Sequence, residues 1–212
     1  MVRFPFCPLV RSLIRVMVLA GLAFAAPTTW AARNILVFGD SLSAGYGIPQ
    51  EAAWPSLLAK RLEQKRLDYS VANLSISGET TAGGRSRLDA ALKNHKPAIV
   101  VIALGANDGL RGLALAQMRD NLNAMIDMAR SSGARVALAG MRLPPNYGPY
   151  ASDFQRSFVD IAKAKKTPLV EFLLEPVAAQ QRYFQADNLH PTAEAQPMLL
   201  DTVWQGLAPL LK

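Results

Sequence analysis

The chain has 212 residues, with 23 Lys plus Arg, 16 Asp plus Glu, two His and one Cys; 50% are apolar and 18% charged. That length and apolar fraction suit one compact domain and exclude a disordered polyelectrolyte. A single cysteine excludes an internal disulfide framework, a Cys-rich zinc site and a Cys-x-x-Cys redox motif, and two histidines leave little for a His-based metal cluster.

Residues 1–31 read as a signal peptide. Arg3, Arg11 and Arg15 precede an uncharged apolar run from Val16 to Ala26, which is too short to span a bilayer and meets small residues soon afterwards. Thr29-Trp30-Ala31 and Ala23-Phe24-Ala25 both satisfy the small-x-small cleavage rule, and cleavage after Ala31 is the preferred reading. The alternative is an uncleaved N-terminal anchor. Removing this segment takes away three arginines and no acid, which leaves 20 basic against 16 acidic residues, a net charge of +4, and no cysteine. Such a chain suits an oxidising compartment, the periplasm or the cell exterior. Its charges alternate in sign, as in Lys60, Arg61, Glu63, Lys65, Arg66 and Asp68, with no basic block for nucleic acid.

Residues 32–212 read as a single domain, without repeats or linkers. Asn34–Phe38, Tyr69–Leu74, Ala98–Leu104, Arg135–Ala139 and Leu169–Phe172 are predicted strands, and the continuous apolar run of the third suits a parallel strand covered on both faces. Trp54, Leu57, Leu58 and Leu62 mark a helix. Leu115, Met118, Leu122, Met125, Ile126 and Ala129 mark another, stopped by Gly133, and Met198 to Leu211 forms a closing third. The βαβαβ order predicts a three-layer α/β/α sandwich around a five-stranded parallel sheet.

In such a sheet the turns after the strands gather at the carboxyl edge, where ligands bind. Three of them, Gly39-Asp40-Ser41-Leu42-Ser43, Ser75-Ile76-Ser77-Gly78-Glu79-Thr80 and Gly105-Ala106-Asn107-Asp108, hold small or polar residues, and Asp187-Asn188-Leu189-His190-Pro191 adds a carboxylate and an imidazole three residues apart. His95 precedes the third strand and so faces the opposite edge.

These four blocks resemble, in order and across nearly all of residues 32–212, the Ser-Gly-Asn-His (SGNH, GDSL-type) hydrolase superfamily. Gly-Asp-Ser-Leu-Ser-Ala-Gly-Tyr, Ser-Gly-Glu-Thr-Thr-Ala-Gly-Gly, Gly-Ala-Asn-Asp-Gly-Leu-Arg-Gly and Leu-Pro-Pro-Asn-Tyr-Gly are similar to the bacterial periplasmic multifunctional esterase group called thioesterase I, lysophospholipase or protease I. The resemblance implies a flavodoxin-like fold, with Ser41 as nucleophile, His190 as general base and acid, and Asp187 orienting the imidazole. It also implies an oxyanion hole made by the backbone N–H groups of Ser41 and Gly78 and the side-chain amide of Asn107. Gly39-Asp40-Ser41-Leu42-Ser43 lacks the second glycine of a Gly-x-Ser-x-Gly elbow, which disfavours the ordinary α/β-hydrolase.

Apolar loop residues Tyr46, Ile48, Leu110, Leu113, Leu143, Pro144, Pro145 and Tyr147 are candidates for holding an acyl chain. The expected substrate is a small-molecule acyl ester or thioester, including aryl or alkyl esters and lysophospholipids. No cofactor or metal is expected, Asp40 and Asp108 being read as turn scaffolding rather than as metal ligands with Glu79, and the default assembly is a monomer. Acyl transfer to an alcohol, deacetylation of a carbohydrate and, as a non-enzyme, an anion-binding α/β module stay open as alternatives.

Overall fold

The structure is a computed structural model and describes residues 33–211. The signal-peptide reading of residues 1–31 lies outside the described residues.

In chain order the elements are β1 (Arg33–Gly39), α1 (Ser41–Ala44), α2 (Trp54–Gln64), β2 (Tyr69–Asn73), α3 (Thr81–His95), β3 (Ile99–Ala103), α4 (Ala106–Leu110), α5 (Leu115–Ser131), β4 (Arg135–Ala139), α6 (Pro149–Lys165), β5 (Leu169–Val170) and α7 (Gln196–Leu207), with short 3-10 turns between some of them. The five strands form one sheet in the order β2-β1-β3-β4-β5, and every neighbouring pair is parallel. This is the flavodoxin-like order, with the reversal between β1 and β3.

Strand pleating explains the three layers, because successive side chains point to opposite faces. Ile35, Val37, Ile99 and Val101 pack with Trp54, Leu58 and Leu62 of α2 and Leu199, Val203 and Leu207 of α7. Leu36, Phe38, Val100 and Ile102 pack with Leu88 of α3, Leu122 and Met125 of α5, and Phe154 and Phe158 of α6. All five residues of β3 are buried, as a central strand covered on both sides requires.

The predicted strands are present. The fifth is shorter than expected, ending at Val170, so Phe172 leaves the sheet instead of continuing it. The closing helix ends at Leu207 and tightens into a 3-10 turn over Ala208–Leu210. Helices α3 and α6 were not among the predicted elements. The buried face of α3 mixes Thr81 and Gly84 with Leu88, Ala91 and Leu92, so its apolar stripe is short. In α6 the buried Phe154, Phe158 and Ile161 do recur at helical spacing, a signal that was available in the sequence.

Candidate active site

Three strand ends and one long loop build the site. At the end of β1 the chain turns into α1, and the Asp40 side chain caps that turn by accepting the Leu42 N–H at 3.1 Å. Ser41 is therefore presented at the carboxyl edge as the first residue of a short helix. After β2, Gly78 adopts φ 78°, a left-handed conformation that glycine takes without steric penalty. The N–H groups of Ser41 and Gly78 have no acceptor among the described residues. After β3, Asn107 stands in α4, its amide donating to the Glu79 carbonyl at 3.1 Å and lying 3.5 Å from Asp40 Oδ2.

The fourth part comes from the loop between β5 and α7. Phe184 bridges Pro191 across this loop, and the Gln185 N–H donates to the His190 carbonyl at 2.8 Å. Asp187 lies inside that constriction and accepts the N–H groups of Leu189 and His190, both at 3.0 Å. Its other oxygen is 2.6 Å from His190 Nδ1, and His190 Nε2 is 2.8 Å from Ser41 Oγ. Hydroxyl, imidazole and carboxylate thus stand in one hydrogen-bonded row, 149 residues of chain being spanned between the first two.

The two acids of this region differ in their surroundings. Hydrogen bonds from the His190 N–H, the His190 ring and the Leu189 N–H stabilise the Asp187 carboxylate and hold its pKa down at about 2. Asp40 is 2% exposed, and burial pushes its pKa up to about 7. The bond from Leu42 N–H opposes that rise, and the neighbouring Asp108 and Glu79 add to it.

The row opens on a cavity of about 780 Å³. Of the candidate acyl-chain residues, Tyr46, Leu110, Leu143, Pro144 and Pro145 line it, together with Ser41, Gly78, Asn107, Leu189 and His190. Tyr147, Ile48 and Leu113 are not in its wall. Tyr147 instead turns its hydroxyl to the Leu110 carbonyl at 3.0 Å, so it braces the wall from behind.

Residues 37–196 match the model of the GDSL-like Lipase/Acylhydrolase family. The chain belongs to that family. It is 52% identical to "Esterase TesA" of Pseudomonas aeruginosa over 182 residues, 85% of this chain and 90% of the relative. It is 40% identical to "Thioesterase 1/protease 1/lysophospholipase L1" of Escherichia coli strain K12 over 182 residues, 85% of this chain and 86% of the relative. Among solved structures, "Crystal Structure of TesA" superimposes with a TM-score of 0.82 at 52% identity, covering 84% of this chain and 100% of that one.

Several wall residues of this GDSL-like protein escaped sequence reasoning: Met141, Phe172, Leu174, Ala178 and Phe184. Phe172, Leu174, Ala178 and Phe184 lie between the fifth strand and Asp187, where an apolar residue in a loop gives no periodic signal. The one clue is the pair Leu173-Leu174 directly after the predicted strand, of which Phe172 is read as the last residue. Asp108 and Glu79 have their oxygens committed to protein donors: Asp108 accepts from Thr81, and Glu79 accepts from Arg87 Nε at 2.8 Å. His95 closes α3 and gives its carbonyl to Asn34 at the amino edge, away from Ser41.

Proposed function

We propose that the protein is a serine hydrolase that cleaves carboxylic esters and thioesters of acyl chains through an acyl-enzyme on Ser41. One observation carries the reading: the row Asp187–His190–Ser41 opens on an apolar cavity whose wall also holds Gly78 and Asn107. A serine hydroxyl is a weak nucleophile until a base takes its proton as it attacks. His190 Nε2 is placed to do so, and the carboxylate of Asp187 on Nδ1 fixes the tautomer and stabilises the imidazolium.

Ser41 Oγ bonds to the acyl carbon and the carbonyl electron pair moves to oxygen. The N–H groups of Ser41 and Gly78 and the amide of Asn107 are the donors for that oxyanion. As the tetrahedral intermediate collapses, His190 returns the proton to the departing alcohol or thiol. Water then repeats the sequence on the acyl-enzyme and releases the acid.

The substrate class follows from the wall. Leu110, Leu143, Pro144, Phe172 and Leu174 offer an acyl chain an apolar surface, and pockets of several hundred Å³ hold chains of many carbons. Aryl and alkyl esters, acyl thioesters and lysophospholipids all fit this description. The relatives named esterase and thioesterase 1/protease 1/lysophospholipase L1 support the same range. Export through removal of residues 1–31, to the periplasm or exterior, belongs to the same proposal. Among the described residues no helix is long and apolar enough to cross a membrane.

Turnover of matched oxygen ester, thioester and lysophospholipid substrates tests the reading, with a fluorophosphonate to label Ser41. Labelling of Ser41 and a kcat/KM that rises with acyl length are expected. Indifference to chain length from about two to sixteen carbons would remove the acyl wall, an unlabelled Ser41 would remove the mechanism, and the N-terminus of the exported protein reads the cleavage site.

A further inference from the structure

Tyr46 is 52% exposed, yet one face of its ring is covered by the imidazole of His190, with centroids 4.4 Å apart and planes inclined by 38°. The His190 side chain is only 14% exposed. Both of its nitrogens are engaged, Nδ1 with Asp187 and Nε2 with Ser41. The freedom left to the ring is rotation about the line joining those two contacts, and an aromatic plane against one face limits it.

The chain around Tyr46 is tied on both sides of the site. The Tyr46 N–H donates to the Ser41 carbonyl at 3.3 Å. Its own carbonyl accepts Gln185 Nε2 at 2.8 Å, and the same nitrogen lies 3.1 Å from the Pro191 carbonyl, next to His190. Gln185 therefore joins the loop after the nucleophile to the loop that carries the base. The Tyr46 hydroxyl makes no hydrogen bond among the described residues, so the group in use is the ring face.

We propose that Tyr46 is a positioning residue for His190: its ring steadies the imidazole between Asp187 and Ser41 and stabilises the imidazolium that forms when Ser41 gives up its proton. The inference rests on the serine-hydrolase reading above and moves Tyr46 from the acyl wall to the base. The physical ground is the negative face of an aromatic ring, which attracts a cation within about 6 Å of its centroid. Neutral imidazole gains less from that face than imidazolium, so the stabilisation is greater in the transition state than in the resting enzyme and enters kcat.

The test compares wild type with Tyr46→Phe, Tyr46→Trp and Tyr46→Leu on p-nitrophenyl acetate and a long-chain p-nitrophenyl ester. It also follows the rate at which a fluorophosphonate modifies Ser41, where Ser41 Oγ displaces fluoride and His190 takes the proton. Tyr46→Leu is expected to lower kcat about three- to tenfold, equally on both esters and with KM unmoved, and to slow phosphonylation by a similar factor. Tyr46→Phe stays within about twofold of wild type and Tyr46→Trp recovers the rate, since both keep a π face. A Tyr46→Leu protein with normal kcat and phosphonylation but a raised KM on the long ester alone returns Tyr46 to the acyl wall and overturns the inference. So does a Tyr46→Phe loss as large as that of Tyr46→Leu, which would implicate the hydroxyl. Wild type that leaves Ser41 unmodified brings down the serine-hydrolase reading itself, whereas wild-type labelling with an unaffected Tyr46→Leu removes only this one.

Discussion

Thr81 gives both of its hydrogens to Asp108: its backbone N–H donates to Oδ2 at 2.9 Å and its hydroxyl to Oδ1 at 2.6 Å. Asn121 adds a third bond by donating to the Thr81 hydroxyl at 3.1 Å. Thr81 begins α3, three residues after Gly78, and Asp108 follows Asn107. The pair therefore ties the turn after β2 to the turn after β3, and with them the candidate oxyanion donors.

Asp108→Ala is expected to destabilise the fold by about 3 kcal/mol, because it leaves the buried Thr81 N–H and hydroxyl without their acceptor. For a domain of this size that corresponds to a fall in Tm of about 6–12 °C. Asp108→Asn keeps one acceptor and should lose about half as much. Thermal melts of the three proteins check this; an Asp108→Ala protein as stable as wild type would show that the pair carries no stability.

Asn107→Ala is expected to lower kcat by about two orders of magnitude while leaving KM and Tm nearly unchanged, the loss of one preorganised oxyanion donor. The amide is held by the Glu79 carbonyl, so its direction is set before substrate arrives. Near-normal turnover by a folded variant would take Asn107 out of the oxyanion hole.

How much of this was legible in the sequence depended on periodicity and on turns. The strands can be placed because they are short, largely apolar runs such as Ile35-Leu36-Val37-Phe38, and α2 and α5 because their apolar residues recur near a period of 3.6, as Leu122 and Met125 do. The turns Gly39–Ser43, Ser75–Thr80 and Gly105–Asp108 stand out because the end of each parallel strand opens on the same edge, whereas the roles expected of Ser41, Gly78, Asn107, Asp187 and His190 come from the family resemblance. The cavity wall was read only in part. Leu174, Ala178 and Phe184 belong to a loop whose course is set by tertiary bonds such as those from Leu173 N to the Gly140 carbonyl and from Gln185 Nε2 to the Tyr46 carbonyl, and no local pattern encodes those. Tyr46 was recognised as apolar and near the site, but its partner is a ring 144 positions away.

Asp187→Asn is expected to lower kcat by about three to four orders of magnitude, since an amide can neither hold the His190 tautomer nor stabilise the imidazolium. The variant should fold, because its side-chain oxygen can still accept the N–H groups of Leu189 and His190. The depressed pKa also bears on stability: a carboxylate held down at about 2 contributes stability above its unfolded value near 4, lost as pH falls toward 2. Wild type should therefore lose stability relative to Asp187→Asn only below about pH 4, and parallel melting curves down to pH 2 would remove that contribution.

Asp40 runs the other way, and its sign can be read from an equilibrium measurement. A carboxyl with a pKa of about 7 in the fold and 3.8 outside it holds a proton over that interval only when folded. Stability then falls as pH rises from about 4 to about 7 and levels off above, by on the order of 4 kcal/mol in total. Asp40→Asn removes the titration while keeping an oxygen to cap α1 through Leu42 N–H. Its new amide nitrogen replaces Oδ2, which lies 3.5 Å from the Asn107 amide, a contact long enough that the loss there is small. The melting curve of Asp40→Asn should therefore be flat between pH 4 and 7 where wild type declines, with the variant gaining on wild type as pH rises. Urea titrations at pH 4.5, 6 and 8 would reveal it, and the same decline in both proteins would mean that Asp40 is ionised in the fold across the whole range and that its charge is compensated.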